Sequence, residues 1–79
     1  MNKDDRKELT AVQSKLEEAQ SAIEWLGEEL DERFSNLPEG FQYSEKGEKL
    51  ERERDEAMEI ANEIVELSTR IENLINGDI

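Results

Sequence analysis

The sequence predicts an all-α fold, an antiparallel two-helix hairpin of coiled-coil type, on three observations. Apolar residues recur at three- and four-residue spacing through both halves of the chain, one break around Pro38 and Gly40 separates the halves, and folding one half back on the other brings large residues against small ones. With 79 residues, 34% of them hydrophobic and 41% charged, there is room for one small domain over residues 1–79 whose core is a seam between helices.

The first helix is expected over about residues 3–36. Leu9, Val12, Leu16, Ala19, Ile23, Leu26 and Leu30 alternate at three and four, Arg33 interrupts, and Leu37 resumes the series. Asn2 is placed to cap it, with Asp4 and Asp5 in a first turn where carboxylates suit the free amide groups and the helix dipole. At 1.5 Å per residue such a helix is roughly 50 Å long. Gly27 costs it about 1 kcal/mol relative to Ala; close approach of the partner helix, a slight bend, or neutral drift would each account for it.

The joint, about residues 37–43, has Phe34, Phe41 and Tyr43 in or beside it and reads either as an aromatic mini-core sealing the hairpin or as an exposed tip. The second helix is expected over about 44–76, with Ser44 as N-cap, Glu45 and Glu48 in the first turn, and Asn76-Gly77 as its stop. Ala57, Ile60, Ile64, Leu67, Ile71 and Leu74 form its stripe, widened by Ala61, Ser68 and Ile75, with Met58 and Val65 further round. Facing residues should have numbers summing to roughly 84, which sets Leu9 by Ile75, Ile23 by Ala61 and Leu26 by Met58.

The stretch Asn36-Leu37-Pro38-Glu39-Gly40-Phe41-Gln42-Tyr43-Ser44-Glu45-Lys46-Gly47-Glu48 resembles the turn N-L-P-E-x-x-Q-x-S-x-[KR]-G-E between the charged helices of small acidic helical-hairpin proteins from phage and prophage genomes. The resemblance covers about twenty residues, of which Asn36 to Glu48 carry the motif. It implies a phage or mobile-element origin and brings no activity with it.

Charge is the other strong signal. The chain carries 22 acids against 10 bases, a net charge of -12. Between Lys15 and Arg33 lie Glu17, Glu18, Glu24, Glu28, Glu29, Asp31 and Glu32 with no base among them, and between Arg54 and Arg70 lie Asp55, Glu56, Glu59, Glu63 and Glu66. In a hairpin these twelve carboxylates gather around one waist, with the bases at the two ends. Residues 17 to 32 span about 24 Å of helix, so the waist holds roughly one charge per 2 Å, against one per ~1.7 Å of duplex DNA. The bland reading is that Glu forms helices well and keeps a small bundle in solution. The functional reading is that the waist is a partner-binding surface for a basic protein, by charge mimicry of nucleic acid.

Such a balance argues against direct binding to nucleic acid or to an anionic membrane. No stretch approaches the length of a membrane span, the N-terminus does not read as a signal peptide, and a cytoplasmic site in a host cell is the expectation. There is no cysteine and no histidine, so thiol sites and the Glu-x-x-His di-iron pattern are out of reach, and the hydroxyls lack an activating base. Glu24, Glu28 and Glu32, or Glu56, Glu59, Glu63 and Glu66, have helical spacing for a cation but flank the apolar stripe; solvated faces are the better account, and no cofactor, metal or catalytic residue is assigned.

Trp25 falls away from the seam, where its ring either lies across its own helix or anchors an interface. With Ala22, Met58 and Val65 it forms the expected self-association set, through which two hairpins would pair as a homodimeric four-helix bundle. The functional expectation is a non-enzymatic phage-type protein that inhibits or modulates a host nucleic-acid-binding or defence protein. The alternatives are a structural adaptor or phage assembly factor working through apolar stripes and, more remotely, a carboxylate metal hydrolase.

Overall fold

The computed structural model describes all residues from 1 to 79. Three helices follow one another: α1 (Lys3–Ser35), the single turn α2 (Glu39–Gln42) and α3 (Glu45–Asn76). The two long helices pack along their length as an antiparallel hairpin measuring 58 × 19 × 12 Å, one helix thick in its smallest dimension.

Each helix starts and stops where local chemistry dictates. The Asp5 amide donates to the Asn2 side chain at 2.8 Å and the Asn2 amide donates back to the Asp5 carboxylate at 3.1 Å. This reciprocal capping satisfies amides that have no partner within the helix and is worth about 1 kcal/mol. At the far end of α3, Gly77 adopts the left-handed conformation (φ 75°), and the Gly77 and Asp78 amides return to the carbonyls of Leu74 and Asn73. A side chain would be strained at that position.

The joint is closed by polar groups. The Gln42 side-chain amide donates to the Leu37 carbonyl at 3.2 Å and to the Phe34 carbonyl at 3.5 Å, the latter also accepting from the Leu37 amide at 3.1 Å where α1 ends. Ser44 caps α3 by accepting from the Gly47 amide, and its hydroxyl donates to the Phe41 carbonyl. Gly47 is buried because the Phe41 and Gln42 carbonyls lie where its Cβ would be. The aromatic mini-core does not form: Phe41 and Tyr43 are exposed and only Phe34 is half-buried, since the carbonyls that approach Gly47 occupy the inner side of the turn.

The contacts Gln13 to Glu72, Gly27 to Met58 and Asp31 to Arg54 fix the register, their residue numbers summing to roughly 85, as an antiparallel pair requires. The seam of α1 is made of Leu9, Leu16, Ile23 and Leu30 in one column and Gln13, Gln20, Gly27 and Phe34 in the other, with Leu37 of the joint continuing the first. Facing them on α3 are Leu50, Ala57, Ile64 and Ile71, with Arg54, Ala61, Ser68 and Ile75 beside them. Here the structure corrects the apolar stripe: Ala19 and Leu26 lie outside the seam, exposed, and a column with two glutamines and a glycine takes their place. The Gln13 amide bonds across the interface and the Gln20 amide to Glu24 of its own helix, and Gly27 admits the Met58 side chain, whose sulfur lies 2.7 Å from the position of a Cβ. Close approach is therefore the reason for this glycine.

Candidate functional site

Seven-residue columns on two antiparallel helices give the hairpin two dissimilar edges. On one edge the column of α1 next to Gln13, Gln20 and Gly27 carries Glu17, Glu24 and Asp31, and the facing column of α3 carries Glu51, Met58, Val65 and Glu72. This edge is tied by side chains. The Gln13 amide donates to the Glu72 carboxylate at 2.6 Å and to the Ser68 carbonyl at 3.4 Å, and Gln20 donates to Glu24 at 2.9 Å.

Arg54 is its strongest point. The guanidinium donates to Asp31 at 2.8 Å across the seam and to Asp55 at 3.0 and 3.1 Å, and it lies 5.7 Å from the Phe34 ring centroid. Its hydrogen bonds to Asp31 and then Asp55 hold its pKa above the ordinary guanidinium range, against a smaller opposing effect of burial. Arg54 therefore belongs to the waist and not only to a basic end. Of the twelve waist carboxylates it engages Asp31 and Asp55, and the other ten are not paired by it. Glu29 has Arg33 at 4.0 Å, a surface contact worth little.

The remaining acids wrap round the outside. Glu18 and Glu32 on α1 and Glu59 and Glu66 on α3 lie at the backs of their helices, Glu28 and Asp55 toward the polar edge, and Glu29, Glu56 and Glu63 toward the other. All twelve are exposed except Glu24 and Glu29, which are half-buried. No three carboxylates converge closely enough to hold a metal ion, so neither the Glu24, Glu28, Glu32 run nor the Glu56, Glu59, Glu63, Glu66 run makes a chelating cluster. Repeated spacing of four carries Glu24, Glu28 and Glu32 round α1 toward its back, while Glu56, Glu59, Glu63 and Glu66 run in line along the outside of α3.

On the second edge the columns are apolar on both helices. Val12, Ala19 and Leu26 of α1 lie level with Leu74, Leu67 and Ile60 of α3. Leu26 and Leu67 are 42% and 44% exposed. A groove of about 380 Å³ opens at the α3 end of this edge, lined by Leu67, Ile71, Leu74 and Ile79 with Arg70 and Asn73. The other recess, about 310 Å³ between Gly27, Glu28, Asp31, Arg54 and Met58, lies on the polar edge and is filled at its base by the Arg54 contacts.

The four residues expected to drive self-association do not share a face. Trp25 stands on the back of α1, 62% exposed, and Ala22 borders the apolar edge. Met58 and Val65 lie on the polar edge, Met58 partly over Gly27. Apolar spacing alone places Leu26, Ile60, Leu67 and Leu74 in the seam and so hides the apolar edge. The Arg54 to Asp31 contact was within reach of the register, which sets Arg54 level with Leu30 and Asp31.

No helix is long and apolar enough to cross a membrane. Comparison with protein-family models, with curated proteins and with solved structures finds no match, so the functional reading rests on the chain's own geometry.

Proposed function

We propose that this hairpin is a non-enzymatic protein-binding module whose acidic shaft engages a basic protein surface of the kind that otherwise holds nucleic acid, and so inhibits or modulates that protein. The observation that carries the reading is the distribution of acids: they occupy the backs of both helices and the polar edge, leaving the apolar edge free of them except at its borders. The waist gives a negative surface over about 24 Å of the rod, with the bases beyond it; it suits a basic groove, and electrostatic complementarity would guide the approach. A phage-type origin, implied by the joint, would make the target a host protein. The working unit in this reading is a pair of hairpins, because one hairpin leaves an apolar edge open.

The test uses Glu28, Glu32, Glu59 and Glu66, all exposed and away from the apolar edge, each replaced by Gln, whose helix propensity is nearly the same. The natural chain, immobilised at low salt, should capture a host protein that elutes with rising salt and is displaced by duplex DNA. The four-Gln variant should fail to capture it, and an unrelated acidic protein of equal charge should fail as well. Equal capture by the variant would remove the mimicry and leave the adaptor reading, in which the apolar edge finds the partner.

A further inference from the structure

We propose that a second copy of this chain covers the apolar edge, and that the two hairpins dock antiparallel about a two-fold axis passing beside Ala22. The proposal rests on the paired unit suggested above; its own content is the edge used and the orientation. Area and charge argue for a second copy.

The chain exposes 6033 Å². A compact monomer of 9.2 kDa exposes about 4,900 Å², so the excess is roughly 1,100 Å². A standard interface takes about 800 Å² from each partner. The surplus is therefore enough to supply what one protomer gives up in a stable dimer, and the molecule's 12 Å dimension is the one that pairing would double. On the apolar edge the exposed Leu26 and Leu67 lie among half-buried Val12, Ile60 and Leu74 with no charge between them, whereas Met58 and Val65, equally exposed, stand in a column between Glu51 and Glu72.

Along that edge α1 presents Lys15, Ala19, Ala22, Leu26 and Glu29, again spaced four and three, the signature of a second seam. Turning one hairpin end for end about Ala22 sets Ala19 against Leu26 of the other copy and Lys15 against its Glu29. On α3 the same operation sets Ile60 against Leu67 and Glu56 against Arg70. Large meets small on one helix pair, apolar meets apolar on the other, and opposite charges meet at all four corners. In the parallel orientation Lys15 would instead meet Arg70 and Glu29 would meet Glu56, so like charges would oppose each other at every corner. Electrostatics selects the antiparallel form, in which Glu63 faces its own copy as the one unfavourable pair. The ten waist acids not engaged by Arg54 remain mostly on the outside of such a bundle.

The chain has no cysteine, which allows single-cysteine variants to report the geometry. Sedimentation equilibrium should give a dimer at micromolar protein, and Leu26→Glu with Leu67→Glu should weaken it at least ~100-fold while circular dichroism keeps its helical signal. In a thiol redox buffer Ala22→Cys should cross-link to a covalent dimer and Val65→Cys, on the opposite edge, should not. Glu63→Gln should tighten association about three- to tenfold by removing the like-charge pair. Cross-linking of Val65→Cys in place of Ala22→Cys would overturn the choice of edge. A dimer in which Ala22→Cys cross-links only with added Glu63→Cys chain would overturn the orientation alone. A monomer at every concentration would overturn this proposal and the paired unit together.

Discussion

Along one edge of the hairpin Gln13 reaches Glu72 and Arg54 reaches Asp31; along the other, Leu26 and Leu67 lie level with apolar residues yet remain almost half exposed. The difference follows from what each kind of group requires. A glutamine amide or a guanidinium needs a partner atom at a set distance and angle, and a two-helix molecule can supply one across its seam. An apolar column needs only to be covered, and a molecule one helix thick has nothing left to cover it with. The hairpin is thus completed by its own side chains on one edge, and the proposed second copy would complete the other. Experiments that separate the edges test this contrast most directly.

The largest effect should come from the joint, because it sets the register of both edges. Gly47→Ala drives a methyl group into the Phe41 and Gln42 carbonyls, which belong to backbone and move only with the whole turn. Although Ala favours helix, overpacking should dominate and cost about 2 kcal/mol, a fall of roughly 10 °C in Tm for a chain of this size. Thermal unfolding checks it. An unchanged or raised Tm would mean that the turn does not pack against α3 as described.

A paired substitution compares the edges themselves. Leu67→Ser and Val65→Ser remove apolar side chains of nearly equal exposure, 44% and 42%, from opposite edges. If only the apolar edge is covered by a second copy, Leu67→Ser should cost about 1 kcal/mol more and reduce the dependence of Tm on protein concentration, while Val65→Ser should leave that dependence intact. Equal effects would erase the distinction between the edges.

How far the fold could be read beforehand depends on which kind of signal was involved. Asn2, Ser44 and Gly77 announce helix ends because capping is local chemistry, and the all-α hairpin with its antiparallel register follows from the spacing of apolar residues. The choice of seam column is different. Leu9, Leu16, Ile23 and Leu30 are flanked on one side by Val12, Ala19 and Leu26 and on the other by Gln13, Gln20 and Gly27, and apolarity favours the first set. The second set wins because its members fit specific neighbours, Gln13 with Glu72 and Gly27 with Met58, and such fits exist only once both helices are in place. The charge pattern likewise shows Arg54 among the bases near the joint but cannot show that its side chain crosses to Asp31.

Removing the ties of the polar edge should have a moderate effect. Arg54→Gln takes away the bonds to Asp31 and Asp55 at a partly exposed site, so the cost should be roughly 0.5–1 kcal/mol, with Gln13→Ala similar or smaller. The sign of the pH dependence follows from the raised Arg54 pKa. A cationic group whose pKa is raised by folding contributes its full stabilisation below its unfolded value and loses it only as pH rises through the folded one. Hence the stability difference between the natural chain and Arg54→Gln should stay constant from about pH 6 to 10 in denaturant titrations. A difference that fades across that interval would show that Arg54 is not the source of the stabilisation.

The smallest net effect is expected at Gly27, where two opposing contributions nearly cancel. Ala in place of Gly favours the helix by about 1 kcal/mol, while the new Cβ would lie 2.7 Å from the Met58 sulfur and force that side chain aside. Methionine is unbranched and flexible, so it can move for well under the cost of displacing backbone, and Gly27→Ala should change stability by no more than about 0.5 kcal/mol in either direction. Met58→Ala removes the obstacle; in that background Gly27→Ala should recover the full helix gain. The double-mutant cycle should therefore show a coupling of roughly 0.5–1.5 kcal/mol between positions 27 and 58. A coupling near zero would mean that Met58 does not rest on Gly27, and the polar edge would lose the one close approach that distinguishes its middle from its tied ends.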